Sequence, residues 1–311
     1  MQRTRFASLL SRTAITNVRQ GMIQQQGWMS PMTRPVVVRS LASLTSERQS
    51  IPSVRVTKHE ESPEVAVVTL TQSAFSHETA RLLIKEWKAI EQDQSVRAVM
   101  LKSDLKSIFC AGIDFSEFMK GPESFGNYWR SIREVFDVIY SSRLNTAAAM
   151  HGHSLGLGCV LGMACQDRFM VGNTAKPATI GLNEVAVGVP VPHWLVELFA
   201  GITSRRHAER LLPLGRILSV QEAVSAGLVD KADFSNQQEM EEFVVRYLVG
   251  RNKSPRVAQA ETMRVIRLNF LTMFRGTEEE DVATIVRYVQ EEEAQSVLKA
   301  QIARLADKSR R

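Results

Sequence analysis

The chain has 311 residues, 44% of them hydrophobic, and a formal charge of +6. That length and apolar content support a sizeable core and exclude disorder, collagen or a coiled coil as a description of the whole chain. No apolar run reaches the roughly eighteen residues that a membrane span requires. The charge suggests nucleic acid only until its position is considered: residues 1–46 hold Arg3, Arg5, Arg12, Arg19, Arg34 and Arg39, with no Lys, Asp or Glu. Removing those six from the 39 basic residues leaves 33 against 33 acidic ones. A nucleic-acid partner is therefore not expected, and neither is stable membrane insertion.

An Arg-rich, acid-free leader containing Ser and Thr has the composition of a mitochondrial transit peptide, 1–46. Phe6-Ala-Ser-Leu-Leu10 can form a short helix with one basic face, on which an import receptor and a membrane potential can act. The alternative is a basic disordered tail. Cleavage is expected between Arg39 and Ser46, delivering the mature chain to the matrix. Cys110, Cys159 and Cys165 form no CxxC pair and no even framework, so neither a disulfide nor a metal site is expected.

Beyond Ser50 short β-type runs alternate with helical stretches, without a Gly/Ser linker or an internal repeat, which predicts one continuous domain. Val65–Leu70 reads as a strand, Glu78–Gln92 as a helix and Arg97–Leu101 as a second strand. Phe125–Tyr140 reads as a helix, Asn145–Met150 as a buried strand of small residues, Leu157–Ala164 as a helix and Arg168–Val171 as a strand. The pattern predicts an α/β core with parallel strands. After Pro192 the chain reads as helical almost throughout, broken at Leu228–Ala232. One last helix, with Val282, Ile285, Val286, Val289, Val297, Leu298, Ile302 and Leu305 in an apolar stripe, is expected to pack on another subunit or on the core. Glu278–Glu280 and Glu291–Glu293 read as solvated helix faces.

Gly152-His-Ser-Leu-Gly156 is a literal G-x-S-x-G between a strand and a helix, the context of a nucleophile elbow. A catalytic Ser154 needs a histidine base with a carboxylate behind it. Only His193 and His207 follow it, and more than a hundred residues without histidine close the chain. Gly156-Leu-Gly-Cys-Val-Leu-Gly162 also has the glycines of a phosphate-cradling turn, but the next strand ends at Phe169-Met-Val-Gly-Asn173 without the acid that would hold a ribose. The same geometry can aim backbone N–H groups at an oxygen that becomes negative during a reaction. Phe109-Cys-Ala-Gly-Ile-Asp114 is a second small-residue turn, and the two turns could supply converging donors or be ordinary tight turns. Glu184, in Ile180-Gly-Leu-Asn-Glu184 ahead of Val185, Val187, Val189 and Val191, is either a surface carboxylate or a partly desolvated base with a raised pKa. His151 and His153 flank the glycine turn and read more simply as packed or surface residues.

Together these segments, with Arg206-His-Ala-Glu-Arg210 and Glu222-Ala-Val-Ser-Ala-Gly-Leu-Val-Asp230, resemble the crotonase (enoyl-CoA hydratase/isomerase) superfamily over roughly residues 52–310, and most closely its mitochondrial Δ3,Δ2-enoyl-CoA isomerase branch. The resemblance implies a crotonase-like spiral of ββα units over 47–250 and a helical C-terminal trimerisation region over 251–311. It implies an acyl-CoA substrate, no cofactor beyond the coenzyme A of the substrate, no metal, and a homotrimer. Backbone N–H groups of Ile113 and Leu157 would form an oxyanion hole for the thioester, and Glu184 would be the acid/base. Ala111, Gly112, Asp114, Phe115, Gly158 and Asn183 would line the substrate. Hydratases of the superfamily carry a second catalytic glutamate three residues beyond Leu157, where this chain has Val160, so the resemblance favours isomerisation of 3-enoyl-CoA over hydration. Two positions depart from the family: Leu157 stands where a glycine is common, leaving Gly158 as an alternative donor, and Ser73 stands where an asparagine is common. A hydratase-like activity, acyl transfer through Ser154, and a non-catalytic or RNA-associated crotonase-fold protein are the alternatives.

Overall fold

The computed structural model describes residues 51–172 and 178–309, with side chains to residue 304. The leader at 1–46 and Asn173 lie outside the described residues.

The first turn of the fold runs β1 (Val54–Lys58), β2 (Val65–Leu70), β3 (Ala74–Phe75) and α1 (His77–Gln92). Ser76 caps α1 by accepting the Thr79 N–H at 3.2 Å, and Ala80, Leu83, Ile84, Trp87 and Ile90 recur at helical spacing on its buried face. The second turn runs β4 (Ala98–Ser103), β5 (Ile108–Cys110), β6 (Gly112–Ile113), a 3-10 turn at Phe115–Met119, and α2 (Pro122–Tyr140). The third is β7 (Asn145–Met150), β8 (His153–Leu155) and α3 (Leu157–Ala164). The fourth opens with β9 (Asp167–Met170) and β10 (Thr179–Gly181), followed by a 3-10 turn at Val185–Val187.

In each turn the first strand enters one sheet and a later one enters another. The larger sheet has the order β1-β2-β4-β7-β9, parallel except for β1. The second aligns β5, β8 and β10 in parallel, and a third pairs β3 with β6. This is the ββα spiral. The large sheet is covered on both sides, as a parallel sheet requires: Val68, Leu101, Ala148 and Met150 face the main core, while Val67, Met100, Ala147 and Ala149 face a second one. The two-residue alternation is that of a strand. Alanines in β7 let α3 and α7 (Gln237–Arg251) approach it.

Between β10 and α7 lie α4 (His193–Ile202), α5 (Arg205–Leu211), β11 (Leu218–Ser219) and α6 (Val220–Ser225). β11 closes the second sheet antiparallel to β10 and is a second break in the helical tract. Leu228–Ala232 forms no regular strand, but Lys231 bridges to Phe169. Beyond α7 come α8 (Arg256–Gly276), α9 (Glu278–Gln290) and α10 (Glu292–Ser309). The single last helix expected from its apolar stripe is therefore two, broken at Glu291, whose ψ of 143° is extended. Val282, Ile285, Val289 and Leu298 pack into the main core of their own chain. Glu278 is partly buried at the start of α9, while Glu279 and Glu280 are exposed, as are Glu291, Glu292 and Glu293.

A buried charge ties these helices to the spiral. Arg133 of α2, 1% exposed, pairs with Asp281 of α9 at 2.6 Å and donates to the Phe274 carbonyl. Trp129 and Trp194 donate their indole N–H groups to the same Asp281 oxygen, at 2.9 and 3.2 Å.

Candidate functional site

Three segments far apart in sequence meet beyond the C-terminal ends of β5, β8 and β10. The first is the start of α3. Gly156, at φ 51° and ψ −116°, caps it in a conformation that only glycine adopts without strain. Its own N–H donates to the Gly181 carbonyl at 3.0 Å, and the first helical bond runs from the Val160 N–H to the Gly156 carbonyl at 3.1 Å. The N–H groups of Leu157, Gly158 and Cys159 therefore have no acceptor four residues back. Gly158 packs so closely on β5 that a Cβ there would lie 2.4 Å from the Cys110 carbonyl oxygen.

The second segment is β6. Ala111 is exposed, and its N–H donates to the Ser73 carbonyl at 2.9 Å. The Asp114 N–H donates to the Phe75 carbonyl at 3.2 Å, so by the alternation of a strand the Ile113 N–H points away from β3. The Cβ position of Gly112 lies 3.9 Å from the Leu157 nitrogen, which makes this edge and the start of α3 neighbours. Asp114 turns its carboxylate back to the Ser116 N–H at 2.9 Å and caps the 3-10 turn. Phe115, half-buried, stacks on Phe118 with ring centroids 5.9 Å apart.

The third segment is the loop after β10. Asn183 Oδ1 and Glu184 Oε1 lie 3.2 and 3.8 Å from the Cβ position of Gly156. The 3-10 turn is wound on the Glu184 carbonyl, which accepts from the N–H groups of Val187 and Val189, both at 3.0 Å. Glu184 is half-buried as a residue, but its Oε2 is sealed from solvent and has no hydrogen-bond partner. Burial pushes its pKa up from 4.5 to about 7, against a small opposing hydrogen bond from its own backbone. A carboxylate in that state can exchange a proton near neutrality.

The structure thus brings Gly112, Ile113, Leu157, Asn183 and Glu184 together. Val160, one turn into α3, is 3% exposed and supplies no second carboxylate. Ser154 is fully buried and donates to the Gly152 carbonyl at 3.2 Å. Among the described residues no histidine is hydrogen-bonded to it, which removes the arrangement that acyl transfer needs. His151 donates to the Leu105 carbonyl, and His153 shares a hydrogen bond with Thr179 at 2.9 Å. Burial pushes the Cys110 thiol up to about 11, which disfavours a thiolate nucleophile.

One neighbour of the site is not evident in the sequence. α10 packs against both 3-10 turns, the one following Ile113–Asp114 and the one following Glu184. A Cβ on Gly188, at φ 79°, would lie 3.0 Å from the Ala294 Cα. A glycine facing a small residue is the only trace of this contact in the sequence.

The family model described as enoyl-CoA hydratase/isomerase matches residues 60–298, and the chain belongs to that family. The mitochondrial enoyl-CoA delta isomerase 1 of Mus musculus is 36% identical over 143 residues, 46% of this chain and 49% of that protein. The alignment thus spans about half the length of this relative. The mitochondrial methylglutaconyl-CoA hydratase of Homo sapiens is 28% identical over 223 residues, 70% of this chain and 63% of that protein. The crystal structure of human mitochondrial delta3-delta2-enoyl-CoA isomerase superposes with a TM-score of 0.77 at 26% identity, covering 82% of this chain and 99% of that one.

Proposed function

We propose that the chain isomerises 3-cis- or 3-trans-enoyl-CoA to trans-2-enoyl-CoA, with Glu184 as its only acid/base, in β-oxidation of unsaturated fatty acids. The observation that carries this reading is the carboxylate of Glu184, whose Oε2 is sealed and unpartnered and whose Oε1 lies against the Gly156 cap of α3, with its pKa pushed up to about 7. Glu184 removes a proton from C2, and the electron pair moves into a dienolate whose oxygen lies between the N–H groups of Ile113 and Leu157. The same carboxyl returns the proton at C4. Each N–H donor contributes about 3 kcal/mol to the transition state, and the positioned base about 10² to 10⁴ in rate. The proton is only relocated, so the step needs neither a redox cofactor nor a metal. Ala111, Gly112, Asp114, Phe115, Gly158 and Asn183 border the acyl-CoA in this reading.

Resemblance to mitochondrial relatives and the basic leader support a matrix location. A homotrimer would cover the apolar row of α8, where Val265, Ile266 and Leu268 are 56%, 70% and 44% exposed. Hydratase relatives favour one second reading, hydration of 2-enoyl-CoA. Purified protein assayed side by side on 3-enoyl-CoA and 2-enoyl-CoA tests the choice. Isomerisation exceeding hydration by orders of magnitude supports the proposal, and the reverse assigns the chain to hydration.

A further inference from the structure

At the end of β7 opposite the candidate site, a cavity of about 750 Å³ opens between the C-terminal end of α2 and the helix α8. Five arginines line it, Arg143, Arg256, Arg264, Arg267 and Arg275, against one acid, Glu261. Arg275 is neutralised by Asp137 at 2.7 and 2.9 Å, and Arg264 by Glu261 at 2.6 to 3.0 Å. The other three are poorly compensated. Arg143 has Glu91 at 3.6 Å and a side chain 67% exposed. Arg256 donates to the Gln94 carbonyl at 3.0 Å, and Arg267 to the Tyr140 carbonyl. Among the described residues neither has a carboxylate within salt-bridge distance.

Arg267 makes this arrangement costly. It is only 8% exposed, and its guanidinium lies 3.9 Å from the centroid of the Tyr140 ring. A carbonyl and an aromatic face do not neutralise a guanidinium, which stays charged at any ordinary pH. Burial pulls its pKa down, the direction of a cation that lacks a counter-charge. The same face of α8 is apolar on both sides of Arg267, with Met263 one turn before and Leu271 one turn after.

We propose that this cavity binds a diphosphate or triphosphate group carried on an apolar body, a ligand of nucleotide size. Guanidinium forks match phosphate oxygens in pairs, and the volume falls in the range of about 300 to 1,000 Å³ typical of small-ligand sites. The phosphates lie against Arg143, Arg256 and Arg267, and the attached body against Met263 and Leu271, which flank Arg267 on the same helix face. None of these residues belongs to the candidate catalytic site, so the inference stands apart from the isomerase reading.

Calorimetric titration of the purified full chain with pyrophosphate and with ADP tests it, beside the double variant Arg143→Glu, Arg256→Glu, which leaves the internal bond of Arg267 intact. The expected result is saturable binding that weakens by about two orders of magnitude in the variant and declines with added salt. Affinity higher for ADP than for pyrophosphate supports the proposal, and equal affinity overturns it by removing the body that carries the phosphates. Binding of neither probe, or binding unchanged in the variant, overturns the proposal. So does a smaller assembly of the variant in sedimentation velocity, because the arginines would then be partners of carboxylates on a second copy of the chain.

Discussion

Glu184 Oε1 stands 3.8 Å from the point where a Cβ on Gly156 would lie, so the carboxylate rests against the residue that caps α3. The cap that exposes the N–H groups at the start of α3 is thereby also a wall of the base. In Gly156→Ala the new methyl enters that space and forces an alanine to φ 51°, ψ −116°, at a cost of about 1 to 3 kcal/mol. The expected outcome is a lower melting temperature together with a fall in kcat of at least about tenfold, from displaced reacting groups. Steady-state kinetics on folded protein check this, and unchanged kcat would separate the cap from the chemistry.

The raised pKa of Glu184 sets the pH response. The base works ionised, so kcat/KM on 3-enoyl-CoA should rise with pH and level off above about 7. Stability should run the other way. Between 4.5 and about 7 the unfolded chain has released this proton and the folded chain has kept it, so stability falls across that window. Glu184→Gln removes that part of the slope and should be more stable than wild type at pH 8. Denaturant titrations at pH 5 and pH 8 measure both differences.

The burial that raises this pKa cannot be read from the sequence. Ile180-Gly-Leu-Asn-Glu184 marks the carboxylate, but what surrounds it comes from α3 and the 3-10 turn that α10 covers. The long runs were legible: Val65–Leu70, Asn145–Met150 and Leu157–Ala164 form the elements their patterns predict, with the same bounds. β3, β5, β6, β8 and β10 have two or three residues each, too few for periodicity, and exist because distant strands pair with them. The break at Glu291 was hidden because apolar spacing continues across it with neither Gly nor Pro to mark it. Glycines gave away the turns, since close approach and positive φ leave a mark in composition.

Asp281 accepts from Arg133, Trp129 and Trp194, drawing α2, α4 and α9 onto one oxygen. Asp281→Ala leaves a guanidinium buried without its partner and should cost about 3 to 5 kcal/mol. Asp281→Asn, which keeps an acceptor, should cost less. Urea unfolding of the two variants gives the comparison, and equal effects would show that the charge is not what matters.

Ser154 sits in a motif that suggests a nucleophile, yet it is fully buried and bonded to a main-chain carbonyl. Ser154→Ala should keep kcat within about twofold of wild type, since no step uses the hydroxyl, and an active-serine probe should leave the wild type unlabelled. Labelling, or collapse of activity in a folded variant, would restore the acyl-transfer reading.

In the proposed isomerisation one carboxyl group moves one proton twice. The most direct test is the rate of 3-enoyl-CoA isomerisation by Glu184→Gln, measured with 2-enoyl-CoA hydration alongside on protein shown to be folded. The prediction is a loss of several orders of magnitude in isomerisation, with little hydration in either form. Isomerisation that survives the substitution would contradict the assignment of Glu184 as the base.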